Sequence, residues 1–250
     1  MTIESPGDVQ GLLAAGRVVG LALRELEPHV RPGVTTAQLN ELAERFLRRH
    51  GARSAPLLTY GFPGAVCVSI NDEAAHGVPG ERTVRAGDLV KLDISAELGG
   101  YFADAAVTVA VPPVSRRHQQ LRDCARAALA AAMSAVRAGA PISAVGRAAE
   151  AVARRAGFRI VRELHAHGIG RALHEEPHDI PQFFAPGASQ RLHAGLVFTI
   201  EPHVAAGSGR IFAEPDGWTL TTLDGGYVAQ FEHTVIVTER RPIVVTAVAP

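Results

Sequence analysis

Cysteine, lysine and long apolar runs are all scarce in this chain, and each scarcity closes off a class of protein. Its 250 residues hold two cysteines, Cys67 and Cys124, far apart and in no ligand spacing, which fits a reducing cytoplasm better than a disulfide framework. The apolar run from Gly11 to Leu26 is broken by Arg17, Arg24 and Glu25, and no small-residue cleavage site follows a short basic leader, so neither a membrane span nor a signal segment is expected. That run reads as an amphipathic helix, capped by Ser5 with Pro6 in its first turn. Charge of neither sign prevails. With 25 basic and 25 acidic residues, nothing favours nucleic acid or an anionic membrane as a partner. Lysine is reduced to Lys91 alone. The length suffices for one sizeable core.

What the chain does have is charge in the wrong places. Asp93 interrupts Leu89-Val90-Lys91-Leu92-Asp93-Ile94, Glu201 ends Leu196-Val197-Phe198-Thr199-Ile200-Glu201, and Glu232 precedes Thr234-Val235-Ile236-Val237. These are strand-like, buried contexts. An ionised carboxylate taken out of water costs several kcal/mol unless it is compensated, and converging carboxylates repel. No arginine lies within four residues of Asp93, Asp104 or Glu201. A bound metal is therefore the expected counter-charge, and two divalent ions would neutralise four carboxylates.

The chain also repeats itself. Val30 to Arg53 aligns without a gap on Val136 to Arg159, with nine identities, among them Gly33/Gly139, Glu44/Glu150 and Gly51/Gly157. In each copy a helix is expected to end at the first Gly, and a second helix begins at Thr35 or Ser143 and stops at the next Gly. Downstream, Ala86-Gly87 precedes Asp93 as Ala194-Gly195 precedes Glu201, and Asp104-Ala-Ala-Val107 can be set against Glu232-His-Thr-Val235 if the second hairpin is longer. The acids thus form two equivalent pairs, Asp93 with Glu201 and Asp104 with Glu232. Each half reads as two helices followed by strands carrying two carboxylates, and Val111-Pro112-Pro113 marks the junction.

A second signal is the run His167-Gly168-Ile169-Gly170-Arg171-Ala172-Leu173-His174-Glu175-Glu176-Pro177. Two histidines flank a glycine turn where backbone can approach a ligand, and either imidazole could complete an oxygen-rich metal site. His76, in Ser69-Ile70-Asn71-Asp72-Glu73-Ala74-Ala75-His76-Gly77-Val78-Pro79, is a third candidate.

Taken together with Phe198-Thr199-Ile200-Glu201-Pro202, Trp218-Thr219 and Glu232-His233-Thr234, these stretches resemble the type I methionine aminopeptidases, in the family's order and spacing from about Ser5 to Thr238. The resemblance implies an α/β (α+β) pita-bread fold: a single catalytic domain, residues 1–250, of two pseudo-symmetric halves, about 9–110 and 114–250, with the metal site at the centre. It implies two divalent metal ions (Co, Mn, Fe or Zn) held by Asp93, Asp104, His167, Glu201 and Glu232, with Asp104 and Glu232 bridging. Asp93 would complete one site, and His167 with Glu201 the other, so the two sites would be unequal. The implied activity is removal of N-terminal methionine by attack of a metal-bridging hydroxide on the first peptide bond, with Glu201 shuttling a proton and His76 and His174 contacting the substrate near the scissile amide. Tyr60, Phe62, Cys67 and Trp218 match the methionine pocket. The implied substrates are nascent polypeptides with a small second residue, met near the ribosome in the cytoplasm by a monomer.

Departures from the family pattern cluster at the site. The loop Leu58 to Pro63 is one residue shorter than usual, Ala103 and Ala166 stand where glycine is commoner, Leu173 replaces Phe or Met, and His203 follows Glu201-Pro202 where an apolar residue is common. Two rivals share the fold: an Xaa-Pro aminopeptidase or dipeptidase, which usually carries an additional N-terminal domain, and a non-catalytic pita-bread binding protein, which generally loses ligands.

Overall fold

A computed structural model describes residues 1–248; the last two residues of the expected domain lie outside the described residues. Helix α1 spans Pro6–Leu26. The Ser5 hydroxyl accepts from Asp8 N and the Asp8 carboxylate accepts from Ser5 N, a reciprocal cap that satisfies two otherwise orphaned donors. Leu12, Ala15, Val19, Ala22, Leu23 and Leu26 follow at helical spacing and are buried. The helix stops at Leu26 rather than at Gly33, because Pro28 has no N–H with which to continue the ladder and a short 3-10 turn, Glu27–His29, follows.

Helix α2 (Thr36–Arg49) is capped by Thr35 as expected. After it comes a short helix, α3 (Ala55–Tyr60), which the two-helix reading of the first half lacked. Ser54 caps it, and it ends at Gly61, whose φ of 71° suits glycine. In the second half, α4 (Arg116–Ser134) also ends short of its glycine, and Gly33 and Gly139 instead make left-handed turns before the second helices. Helix α5 (Ser143–Arg155) begins at Ser143, but Ile142 occupies the capping position and no side chain caps it.

The strands are antiparallel. Leu89–Leu98 and Tyr101–Ala110 form a hairpin of two ten-residue strands turned by Gly99 and Gly100, both at positive φ, and Cys67–Ile70 and Arg53–Ser54 pair with the first of these strands. A five-stranded sheet runs Ile243–Val244, His233–Ile236, Val197–Ile200, His165–Gly168, Glu175–Pro181. Two three-stranded sheets complete the fold. One joins Val228–Gln230, His203–Ala205 and Arg159–Ile160; the other joins Ile211–Ala213, Leu220–Thr222 and Glu73–Ala75, so that it draws strands from both halves of the chain.

Each helix pair covers its own sheet. Leu12, Val19, Leu39, Leu92 and Ile94 pack in one cluster, and Leu121, Ala128, Val145, Phe198 and Val235 in another. Each buried Leu or Phe contributes roughly 1.5–3 kcal/mol. On the Asp93 strand Leu92 and Ile94 enter the first of these clusters, so by alternation Asp93 emerges on the opposite face. Among the described residues, no helix is long and apolar enough to cross a membrane.

Candidate metal centre and substrate pocket

Strand register brings the acids together. Asp93 lies opposite Ala106 and Asp104 opposite Ser95 on the long hairpin, while His233 opposite Ile200 brings Glu232 beside Glu201. Two hydrogen bonds stitch these elements across the chain: Asp104 N donates to Thr234 Oγ1 at 2.9 Å, and Glu232 N to Ala106 O at 2.9 Å. His167 arrives on the neighbouring strand, His165–Gly168. Its N–H donates to Thr199 Oγ1 at 3.1 Å, and that hydroxyl donates to Glu201 Oε1 at 2.7 Å, so one threonine sets two candidate ligands.

The five residues meet in one cluster. Asp104, His167 and Glu232 each offer a ligand atom within 4.8 Å of the others, and all three are buried. Glu201 Oε1 lies 3.7 Å from His167 Nε2. Gln230 Nε2 donates to Asp93 Oδ2 at 3.3 Å and to Glu232 Oε2 at 3.2 Å, and Asp93 lies close enough to Asp104 to raise its pKa beyond what burial does.

This cluster lacks positive charge among its own atoms. Asp104 Oδ1 and Glu232 Oε1 are buried with no hydrogen-bond partner. Lys91, the only lysine, does not supply the missing charge, since its Nζ donates to Asn71 O and Val228 O. With protein atoms alone, burial and then the neighbouring acids Asp93 and Glu201 push Asp104 well above the carboxylate range. Burial, then Asp104, Glu201 and Asp93, do the same to Glu232. Burial raises Glu201 to about 8 despite the Thr199 hydrogen bond. His167 is lowered by burial, then by His174, to about 3, and is therefore a neutral nitrogen donor. Hard oxygen ligands with one neutral imidazole, two of the oxygens unpaired, fit divalent cations.

Beside the cluster lies a cavity of about 310 Å³, reached by Tyr60, Phe62, Cys67, His76, His174 and Trp218. Tyr60 OH lies 2.6 Å from His174 Nδ1, and the His174 and His167 rings are 3.9 Å apart. Burial, then His76, lowers His174 to about 4, and burial lowers His76 against the pull of Asp93. His76 has a φ of 54°, rare for a residue with a side chain, and positions of this kind concentrate at functional sites. Phe62 is buried edge-on to Trp218, with centroids 5.3 Å apart. Burial, then Asp93, Asp104 and Glu232, raise the Cys67 thiol, which stays neutral and soft.

Of the departures in sequence, Leu173 and His203 also line the cavity, while Ala103 and Ala166 are fully buried beside Asp104 and His167. Both ring nitrogens of His203 are buried without a partner, and burial lowers it to about 3. Sequence reading missed Gln230, Thr199 and Thr234. Gln230 stands two residues before Glu232 and Thr199 two before Glu201, so strand alternation could have pointed to both.

Comparison with known proteins agrees with this geometry. The profile of metallopeptidase family M24 matches residues 10–239. Methionine aminopeptidase 2 of Bacillus subtilis (strain 168) is 38% identical over 247 residues, 98% of this chain and 99% of the relative. The crystal structure of methionine aminopeptidase from Rickettsia prowazekii superposes with a TM-score of 0.95 at 34% identity, covering 99% of this chain and 100% of that one. Prolidase from Pyrococcus furiosus shares the fold at a TM-score of 0.79 and 18% identity, and 66% of that longer chain is covered.

Proposed function

The chain belongs to metallopeptidase family M24, and from this premise we propose how its residues divide the work. It is a metallo-aminopeptidase that removes N-terminal methionine from peptides. Asp93, Asp104, His167, Glu201 and Glu232 would hold two divalent ions, Asp104 and Glu232 serving both, Asp93 one, and His167 with Glu201 the other. The observation that carries this reading is the pair of unpartnered buried oxygens, Asp104 Oδ1 and Glu232 Oε1, inside a ligand cluster with His167. Manganese, iron, cobalt and zinc all suit such donors.

When bound, the ions supply Lewis acidity and make water acidic enough to ionise near neutral pH. Every other task falls to the chain. Glu201, its Oε1 held by Thr199, moves the proton between water and the leaving amine. His174, oriented through Nδ1 by the Tyr60 hydroxyl, and His76, pinned by its left-handed backbone, face the scissile amide as neutral imidazoles. They donate toward charge that develops on the amide, which is where a pre-set donor lowers a barrier. Phe62 and Trp218 wall an apolar slot with Cys67 at its side, and sulfur-aromatic contacts in such a slot add roughly 0.3–1.5 kcal/mol each for an unbranched thioether. We place the enzyme in the cytoplasm, acting as a monomer on nascent chains with a small second residue near the ribosome. Near-complete coverage of methionine aminopeptidases, against two-thirds of prolidase, supports this substrate class over the Xaa-Pro reading.

Metal counting tests the division of labour. Asp104→Ala and Glu232→Ala lower bound metal per chain, whereas His76→Ala retains it and loses rate. Full metal loading in Asp104→Ala would overturn the bridging role.

A further inference from the structure

Lys91 is the only lysine in the chain, is 1% exposed, and has no task in the chemistry above. It precedes Asp93 by two residues on strand Leu89–Leu98, so both side chains leave the same face of the sheet. Its amine nevertheless donates to no carboxylate. Nζ donates to Asn71 O at 3.1 Å and to Val228 O at 3.0 Å, two neutral acceptors. An apolar side chain would fill the same space without burying a polar group, so the amine is there for what it holds.

What it holds are two segments that reach the centre from opposite ends of the chain. Asn71, in the left-handed region at φ 57°, forms the turn between Cys67–Ile70 and the strand that leads to His76. Its side chain accepts from Leu89 N and donates to Asp88 Oδ1, both at 2.9 Å, which ties the turn to the start of the Asp93 strand. Val228 opens the strand Val228–Gln230, and its N–H donates to Asn71 O at 2.9 Å. Gln230, at the far end of that strand, is the residue whose amide reaches Asp93 and Glu232.

We infer that the Lys91 amine is a tethered structural donor that clamps the Asn71 turn and the Val228 strand to the Asp93 strand, and so sets Gln230 against the carboxylates of the metal centre. Lys91 is a positioning residue: it acts through Gln230. The inference rests on the reading of those carboxylates as metal ligands.

The test compares metal binding by the wild type, Lys91→Met and Lys91→Ala, using Co²⁺ alone as the probe, by calorimetry and by the visible absorption of the bound ion. Lys91→Met keeps the apolar stem and drops the amine. Its Co²⁺ affinity falls about 10–100-fold, the range seen when a residue supporting metal ligands is lost, and its absorption bands shift. Lys91→Ala shows the same loss, and ammonium or methylammonium chloride restores affinity where choline chloride at equal ionic strength does not. Lys91→Met has no room for the added amine and is not rescued. Thermal unfolding in chelator shows whether each variant is folded, and Lys91→Leu, which also lacks the amine, replaces Lys91→Met if the latter does not fold. Unchanged affinity and absorption in the folded variant without the amine would overturn the inference. A wild type that fails to bind Co²⁺ would instead overturn the metal-centre reading beneath it.

Discussion

Gln230 and Glu232 are joined side chain to side chain, Nε2 donating to Oε2 at 3.2 Å, and the same nitrogen reaches Asp93 Oδ2 at 3.3 Å. One amide therefore spaces two acids that lie far apart in sequence. Replacing Gln230 with Leu removes the donor and leaves both oxygens free to move. The expected result is a 10–100-fold weaker metal affinity by calorimetry, as for other groups that orient metal ligands. An unchanged dissociation constant would show that strand register alone places the acids.

Thr199 has a different kind of leverage, because its hydroxyl serves both His167 N and Glu201 Oε1. Thr199→Val keeps the shape and removes the hydrogen bonds. A hydrogen bond to a charged group is worth about 1.5–3 kcal/mol, and about 1.4 kcal/mol is tenfold in rate. kcat should fall about tenfold or more with metal still bound, and a kcat equal to that of the wild type would show that Glu201 needs no such support.

Tyr60→Phe isolates the orientation of His174. The hydroxyl lies 2.6 Å from Nδ1 and leaves Nε2 to face the substrate. The variant should keep its full metal content and lose kcat, with the rate partly insensitive to the metal used. Loss of metal content instead would place Tyr60 in the support of the neighbouring His167.

Metal binding should release protons. Burial, reinforced by neighbouring acids, holds Asp104 and Glu232 well above the usual carboxylate range, and burial holds Glu201 at about 8. His167, lowered by burial to about 3, is already neutral and releases none at neutral pH. Below their pKa these carboxyls carry protons that a cation must displace, so affinity rises with pH, by up to about tenfold per unit for each proton displaced. The share due to Glu201 levels off above about 8. Calorimetry in two buffers of different ionisation enthalpy measures the protons released, and none released near pH 7 would contradict the ionisation states derived above.

Much of this site was legible because charge in an apolar strand is expensive and therefore conspicuous. Asp93, Glu201 and Glu232 announce themselves against their neighbours, and the repeat pairs Asp104 with Glu232 in the sequence alone. Helix starts with a side-chain cap, such as Ser5 and Thr35, were legible for the same local reason. Helix ends were less so: a search for glycine overlooked Pro28, and α3 is too short to show a period. The supporting residues escaped because their meaning lies in partners distant along the chain. Gln230 becomes informative only when strand pairing sets it against Asp93, and Lys91 only when Asn71 O and Val228 O come within reach.

The central claim, a metal-dependent aminopeptidase selective for N-terminal methionine, is tested most directly by one titration. The protein is stripped with chelator, single divalent metals are added back, and release of the first residue is followed on Met-Ala-Ser, Ala-Pro and a leucine peptide. Methionine release is expected to be absent without metal, to rise with added metal, and to exceed cleavage of the other two peptides. No methionine released under manganese, iron, cobalt or zinc, or preferential cleavage of Ala-Pro, would contradict it.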